Sequence, residues 1–219
     1  MAIARALARE GCNLVIASRS KSKLDRAARE LSKGKVEVLP VVCDVRDAED
    51  VKALLAAVKS KFRRLDILIN NAGVTHANLN VAKLPAESWR EVIETNLTGL
   101  FLVTQAALPL MKPGGTIVNN LSVAARRVWP GSSAYNASKH GALGFTNTLR
   151  EELRKKGIRV TALLPGAADT AIWNVFWPDA PREKMLSPET VAAAVVDVLA
   201  LPAESTVEEL TIMPTGGAL

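Results

Sequence analysis

Residues 12–43 read Cys-Asn-Leu-Val-Ile-Ala-Ser-Arg-Ser-Lys-Ser-Lys-Leu-Asp-Arg-Ala-Ala-Arg-Glu-Leu-Ser-Lys-Gly-Lys-Val-Glu-Val-Leu-Pro-Val-Val-Cys. An apolar run at 12–18 reads as a strand. Leu24, Ala27, Ala28 and Leu31 recur at helical spacing, so 21–33 reads as a helix with Gly34 beyond it. A second apolar run, 36–43, reads as another strand. Leu14-Val15-Ile16 carries no polar alternation, the pattern of a strand covered on both faces of a parallel sheet. This strand–helix–strand unit sets the fold class.

The same alternation continues in both directions. Upstream, 2–10 reads as a helix with Ile3, Ala6 and Leu7 on one face and Gly11 as its stop. Downstream, Asp47 caps a helix over 48–62, with Leu54, Leu55, Val58 and Phe62 inward. Residues 66–70 form a short strand around Ile67-Leu68-Ile69. A long helix over 86–112 is broken or bent along its length. Then come a strand at 116–122, a helix at 133–156 ending at Gly157, and a strand at 158–164. A helix over 188–200 starts at Pro188, and a last strand occupies 208–213. The expectation is one domain, 1–219: an α/β, doubly wound, Rossmann-like parallel sheet with helices on both faces. Such folds normally open with a central strand, whereas this chain opens with a helix, so the first strand is missing.

Composition narrows the function. The chain has 219 residues, is 48% hydrophobic and 23% charged, and can bury a core without staples. No apolar run reaches the roughly 18 residues of a membrane helix, and residues 1–11 lack the apolar centre of a secretion signal. Cys12 and Cys43 are the only cysteines, and His76 and His140 the only histidines. They suggest reduced, cytoplasmic thiols and no metal site. The net charge of +6 gathers in Arg19, Lys21, Lys23, Arg26, Arg29, Lys33 and Lys35. A solvated helix face or one small anion accounts for that run. No helix-turn-helix, zinc or stacking motif argues for nucleic acid.

The chemistry sits near Tyr135, the single tyrosine. Lys139 follows four residues later, on the same helix face. A phenol titrating at about 10 must fall to exchange protons near neutrality, and a neighbouring ammonium is a group that lowers it. Ser122 ends a strand thirteen residues earlier. Asn70-Asn71-Ala72-Gly73 and Pro165-Gly166 follow other strands, at the edge where parallel sheets hold their sites. Asn96 lies inside the long helix.

These residues, with Asp44-Val45, the Asn96-Leu97-Thr98-Gly99 run and Tyr135-Asn136-Ala137-Ser138-Lys139, resemble the short-chain dehydrogenase/reductase family across nearly the whole chain. The resemblance implies a hydride transfer between a nicotinamide and a carbonyl or alcohol. Tyr135 would be general acid and base, Ser122 would bond the substrate oxygen, and Lys139 would lower the tyrosine pKa and hold the nicotinamide ribose. Asn96 would hold a water that links Lys139 to solvent, a role compatible with satisfying backbone at a helix bend. Asn71, Ala72 and Gly73 would line the adenosine side, and Asp44, beside Val45, would bond the adenine amine. Asp44 also suits a plain turn. Pro165, Gly166 and Thr170 would meet the nicotinamide.

Cofactor choice has a physical argument. A carboxylate after the second strand of the family pattern selects NAD, and an arginine pairs with a 2′-phosphate. Here Ser18 and Arg19 stand there with no acid, which points to NADP(H). Trp129 and Trp173, the latter within Ile172–Pro178, suggest an apolar carbonyl substrate, or else a subunit contact or core corner. A 3-oxoacyl carrier-protein reductase-like activity and a generic ketone or aldehyde reductase are equal expectations. The long helices would pair into a homodimer or homotetramer.

The family's opening strand and glycine loop, which let backbone approach a pyrophosphate at a helix N-terminus, have no counterpart here. The expectation is an N-terminally truncated chain whose natural start lies upstream. The alternative is a non-catalytic relative that binds partners or serves a structural role.

Overall fold

The computed structural model describes residues 1–217, so the last two residues of the expected domain lie outside the described residues. The elements are α1 (Ala2–Arg9), β1 (Leu14–Ser18), α2 (Lys21–Leu31), β2 (Val38–Val42), α3 (Ala48–Phe62) and β3 (Ile67–Asn70). Then follow α4 (Ala86–Ile93), α5 (Gly99–Ala107), β4 (Thr116–Asn120), α6 (Ser133–Arg154), β5 (Arg159–Pro165), α7 (Trp173–Phe176), α8 (Pro188–Leu199) and β6 (Glu209–Ile212). Each expected strand and helix is present, with ends shifted by at most two residues apart from the long helix.

Local chemistry explains the boundaries. Ser20, Asp47 and Ser187 cap α2, α3 and α8, each side chain accepting backbone N–H groups of the first turn. Gly11 and Gly157 adopt φ of 81° and 64° just past α1 and α6, a conformation that glycine reaches without strain. The expected helix 86–112 breaks into α4, a π-turn at Glu94–Thr98, α5 and a 3₁₀ turn at Leu108–Leu110.

All strand pairs are parallel, and they form two sheets, ordered β2-β1 and β3-β4-β5-β6. Helices α1, α2 and α8 cover one face, where Ile16 and Ile69 meet the cluster of Leu7, Leu14 and Leu31. Helices α3, α5 and α6 cover the other, where Val15 and Leu68 share the cluster of Val51, Leu54, Leu55 and Val103. Shared clusters on both faces therefore hold the two sheets in one layer, although β1 and β3 are not hydrogen-bonded to each other.

The split corrects one expectation. β4 and β5 are buried along almost their whole length, yet Val15, Ile16, Ile67, Leu68 and Ile69 are only partly buried. Apolar runs fit for a central position here line a sheet edge, and edge strands lose the cover that a neighbour gives.

Candidate active site

Parallel strands end on one edge, which gathers the segments after β1, β2, β3, β4 and β5. Ser122 follows β4, and its Oγ accepts from Ala124 N at 3.1 Å, capping a 3₁₀ turn. Asn136 of α6 reaches back to that turn, donating to Ala124 O at 3.0 Å and Arg127 O at 2.7 Å. Ser132 Oγ donates to Trp129 O at 2.7 Å. These bonds hold the start of α6 against the turn and bring the Tyr135 phenol close enough to Ser122 for the two hydroxyls to influence each other. Lys139, one turn further, places Nζ 5.5 Å from the Tyr135 ring centroid and donates to Asn120 O at 3.2 Å.

Burial acts on both ionisable side chains of the site. Burial pushes the Tyr135 phenol above its ordinary value, and the bond with Ser122 pulls against it. Lys139 stands close by, with Nζ 5.5 Å from the ring centroid. Its own ammonium is desolvated, which brings its pKa down from 10.5 to about 8.

Asn96 lies in the π-turn and is 2% exposed. Its Oδ1 accepts from Val74 N at 2.8 Å, and its Nδ2 donates to Val74 O at 2.9 Å and Ser138 Oγ at 3.0 Å. It therefore clamps the loop after β3 to α6. π-turns of this kind recur at functional sites. A Cβ on Gly73 would meet Asn96 Oδ1 at 3.6 Å and Lys139 Nζ at 3.7 Å, so this loop passes directly beside the lysine.

Asn71 and Ala72 are exposed at the same edge. Ser18 accepts from Ser20 N, and exposed Arg19 lies 3.9 Å from Glu91. Asp44 is held by Arg46 through bonds of 3.0, 3.0 and 2.6 Å, and this guanidinium keeps its carboxyl below the usual range. An adenine amine at Asp44 would share the carboxylate with Arg46. Val45 packs on Gly99, where a Cβ would stand 2.7 Å from Val45 Cγ2. Its side chain thus serves packing.

Gly166 N donates to Ile212 O at 2.7 Å, beside Pro165 at the end of β5. The carbonyl of Thr170 accepts from Arg182 at 2.9 Å. Arg182 also donates to Asp169 at 2.8 Å and Asn174 at 2.7 Å, latching the segment between β5 and α7. Trp173 donates from Nε1 to Ala168 O at 3.0 Å and stacks edge-on with Phe176 and Trp177. Trp129 packs against the cluster of Leu100, Leu121 and Leu143, the core-corner placement.

Four contributors escape a reading by motif: Arg46, Asn119, Asn120 and Arg182. The Asn119-Asn120 pair ending an otherwise apolar strand is the one sequence signal among them. Asn70 donates to Thr104 Oγ1 and Asn119 Oδ1, both at 2.9 Å, and Asn119 donates to Thr146 Oγ1 at 2.9 Å. This buried chain of amides and hydroxyls links α5, β3, β4 and α6.

Comparison with known proteins identifies the family and the fold. A family model for short chain dehydrogenases matches residues 1–180. The chain belongs to the short chain dehydrogenase family. Uncharacterized oxidoreductases of Staphylococcus aureus strain MW2 and Staphylococcus haemolyticus are each 35% identical over 215 residues, 97% of this chain and 91% of the relative. The alcohol dehydrogenase of the archaeon Thermococcus sibiricus, solved with 5-hydroxy-NADP, superposes with a TM-score of 0.91 at 34% identity. That match covers 98% of this chain and 91% of the other. A variant of actinorhodin polyketide ketoreductase, solved with NADPH, gives 0.87 at 32% identity, covering 97% and 90%. The protein is an oxidoreductase of this family.

The site's residues fit a nicotinamide dinucleotide. Acceptors, amides and one ammonium line the strand-end edge, and buried Asn120 Oδ1 lacks a partner. Among the described residues, no group of three His, Cys, Asp or Glu side chains could hold a metal ion, and no helix is long and apolar enough to cross a membrane.

Proposed function

We propose that the protein is an NADP(H)-dependent oxidoreductase that interconverts a carbonyl compound and its alcohol. The observation that carries this reading is the convergence of Ser122, Tyr135 and Lys139 beside the Gly73 loop, with Lys139 buried and aimed at the strand edge. The bound nicotinamide supplies or takes up the hydride at the carbonyl carbon. Tyr135 Oη gives its proton to the carbonyl oxygen in reduction and takes it back in oxidation. Ser122 Oγ donates to the same oxygen as negative charge develops there. Lys139 Nζ holds ribose hydroxyls and, with a substrate bound, favours the phenolate that reduction leaves behind. Ser18, Arg19, Asp44, Val45, Asn71, Ala72, Gly73, Pro165, Gly166 and Thr170 form the dinucleotide edge.

Arg19 supports the choice of NADP(H). It is exposed, lies at the end of β1 and, among the described residues, faces no carboxylate closer than that of Glu91 at 3.9 Å. A 2′-phosphate fits this guanidinium better than a bare ribose does. The solved relatives that hold NADP-type ligands support the same choice. Trp173, Phe176 and Trp177 favour an apolar ketone or aldehyde, with a 3-oxoacyl thioester as one candidate. Phe101 and Trp89 are 41% and 42% exposed on α5 and α4, and Phe101 stacks on Phe145 of α6. This apolar face supports pairing into a homodimer or homotetramer. The free thiols of Cys12 and Cys43 suit the cytoplasm. The divided sheet favours a second reading, a non-catalytic relative that keeps the fold.

One experiment separates the two readings. NADPH oxidation is followed with a panel of apolar ketones and aldehydes, with NADH as the comparison and Tyr135→Phe as the control. The expected result is turnover that prefers NADPH and falls roughly 10²- to 10⁴-fold in the variant. A variant as active as the parent removes Tyr135 from the chemistry. Failure of the folded parent to bind either dinucleotide favours the non-catalytic reading.

A further inference from the structure

Asn120 ends β4, after Thr116, Ile117, Val118 and Asn119, and it touches the proposed site through its main-chain carbonyl and its side-chain amide nitrogen. Its main-chain carbonyl accepts from Lys139 Nζ at 3.2 Å. Its Nδ2 donates to Asn71 Oδ1 at 2.8 Å. Its side-chain carbonyl, Oδ1, is buried and has no partner. The neighbouring Asn119, fully buried, shows the contrast. Both ends of its amide are satisfied, by Asn70 and by Thr146. Leaving a buried acceptor unpaired costs stability, and such an atom in a native site calls for a donor from outside the chain.

We propose that Asn120 is a cofactor-binding residue, whose side-chain carbonyl accepts a hydrogen bond from a hydroxyl of the nicotinamide ribose. This rests on the dinucleotide reading above. The chemistry of the partner follows from the chemistry of the orphan. An amide oxygen only accepts, so phosphates, which carry no proton to give at neutral pH, do not match it. A hydroxyl does. An ammonium has only N–H groups and can occupy only the oxygen of a ribose hydroxyl. The hydroxyl proton then needs an acceptor. Asn120 offers one on the residue that Lys139 already touches, and its bond to Asn71 fixes the amide plane.

The test is calorimetric titration of the parent and Asn120→Leu with NADPH and, separately, with 2′,5′-ADP, which lacks the nicotinamide half. Leucine keeps the branching and heavy-atom count of asparagine without its polar atoms, and the exposed Asn71 side chain released by the change can turn to water. The expected result is an NADPH Kd raised roughly three- to tenfold, the worth of one neutral hydrogen bond. The affinity for 2′,5′-ADP stays unchanged, and the unliganded variant has a Tm no lower than the parent's. An unchanged NADPH Kd overturns the proposal, as does an equal weakening of both ligands. If leucine lowers Tm, Asn120→Ala, which adds no bulk, is read by the same two titrations. A folded parent that binds neither NADPH nor NADH overturns the dinucleotide reading, and this assignment with it. A parent that binds alongside an unaffected variant overturns this assignment alone.

Discussion

Lys139 is 5% exposed, and its ammonium is held by one main-chain carbonyl. Its pKa of about 8, against 10.5 unfolded, makes it a source of instability at neutral pH. Below pH ~8 both states carry the proton, and the whole cost of burying the charge is present. Between ~8 and ~10.5 the unfolded chain binds more protons, so stability rises with pH. We therefore expect Lys139→Met to be more stable than the parent at pH 7, by up to about 3 kcal/mol, with the advantage gone above the unfolded pKa. Urea titrations at pH 7 and at high pH measure this, and a variant less stable at pH 7 refutes it. A cost kept at this position supports the role proposed for Lys139. Arg19 makes the second prediction at this scale. If it pairs with a 2′-phosphate, Arg19→Ala raises the NADPH KM roughly 10- to 100-fold, the worth of a charged hydrogen bond, and leaves the NADH KM alone. Equal changes for both cofactors remove Arg19 from the selection.

At the scale of elements, the polar chain through Thr104, Asn70, Asn119 and Thr146 pins β3 and β4 to the helices that carry the site. Asn119 is wholly buried and is the link between the two strands. Asn119→Ala leaves Asn70 and Thr146 each with a lost partner. The expected cost is about 1–3 kcal/mol, seen as a lower urea midpoint with an unchanged m value. An unchanged midpoint shows that the chain carries no net stability. None of this was legible in the residues, because an asparagine within an apolar strand does not announce its partner. The elements themselves were legible, since glycines at 11 and 157 and the cap at Asp47 mark chain-local events. The break in the long helix was also anticipated, and the π-turn there is where Asn96 bonds both backbone groups of Val74. The site order Ser122, Tyr135, Lys139 was readable because one helix and one strand end carry it. The direction of the Tyr135 shift was not, because burial depends on what the whole fold lays over the ring. Arg46 and Arg182 were missed for the same reason, as each is defined by what it latches.

At the scale of the molecule, the layer is continuous in its core and divided in its hydrogen bonding. Leu14 N donates to Glu37 O and Cys43 N to Ser18 O, so the even-numbered residues of β1 face β2. In a parallel ladder the N–H and C=O of one residue point the same way. Val15 and Ala17 thus turn their backbone groups away from β2. On β3, Thr116 N donates to Asp66 O, so Ile67 and Ile69 turn theirs away from β4. These four residues carry the facing, unpaired edges, while the clusters on either side of the layer stay intact. Packing without pairing predicts a local rather than global weakness. Amide exchange at Val15, Ala17, Ile67 and Ile69 is expected to be much faster than at Ile117, Val118 and Leu163, which are almost wholly buried in paired strands. Saturating NADPH should slow exchange at the ends of β3 and β4 by binding across their edge, yet leave Val15 fast, since a ligand at the strand ends supplies no backbone partner. Val15 and Ile67 protected as well as Ile117 in the free protein would mean that another strand pairs with both edges in solution, and the divided sheet would then be incomplete as described.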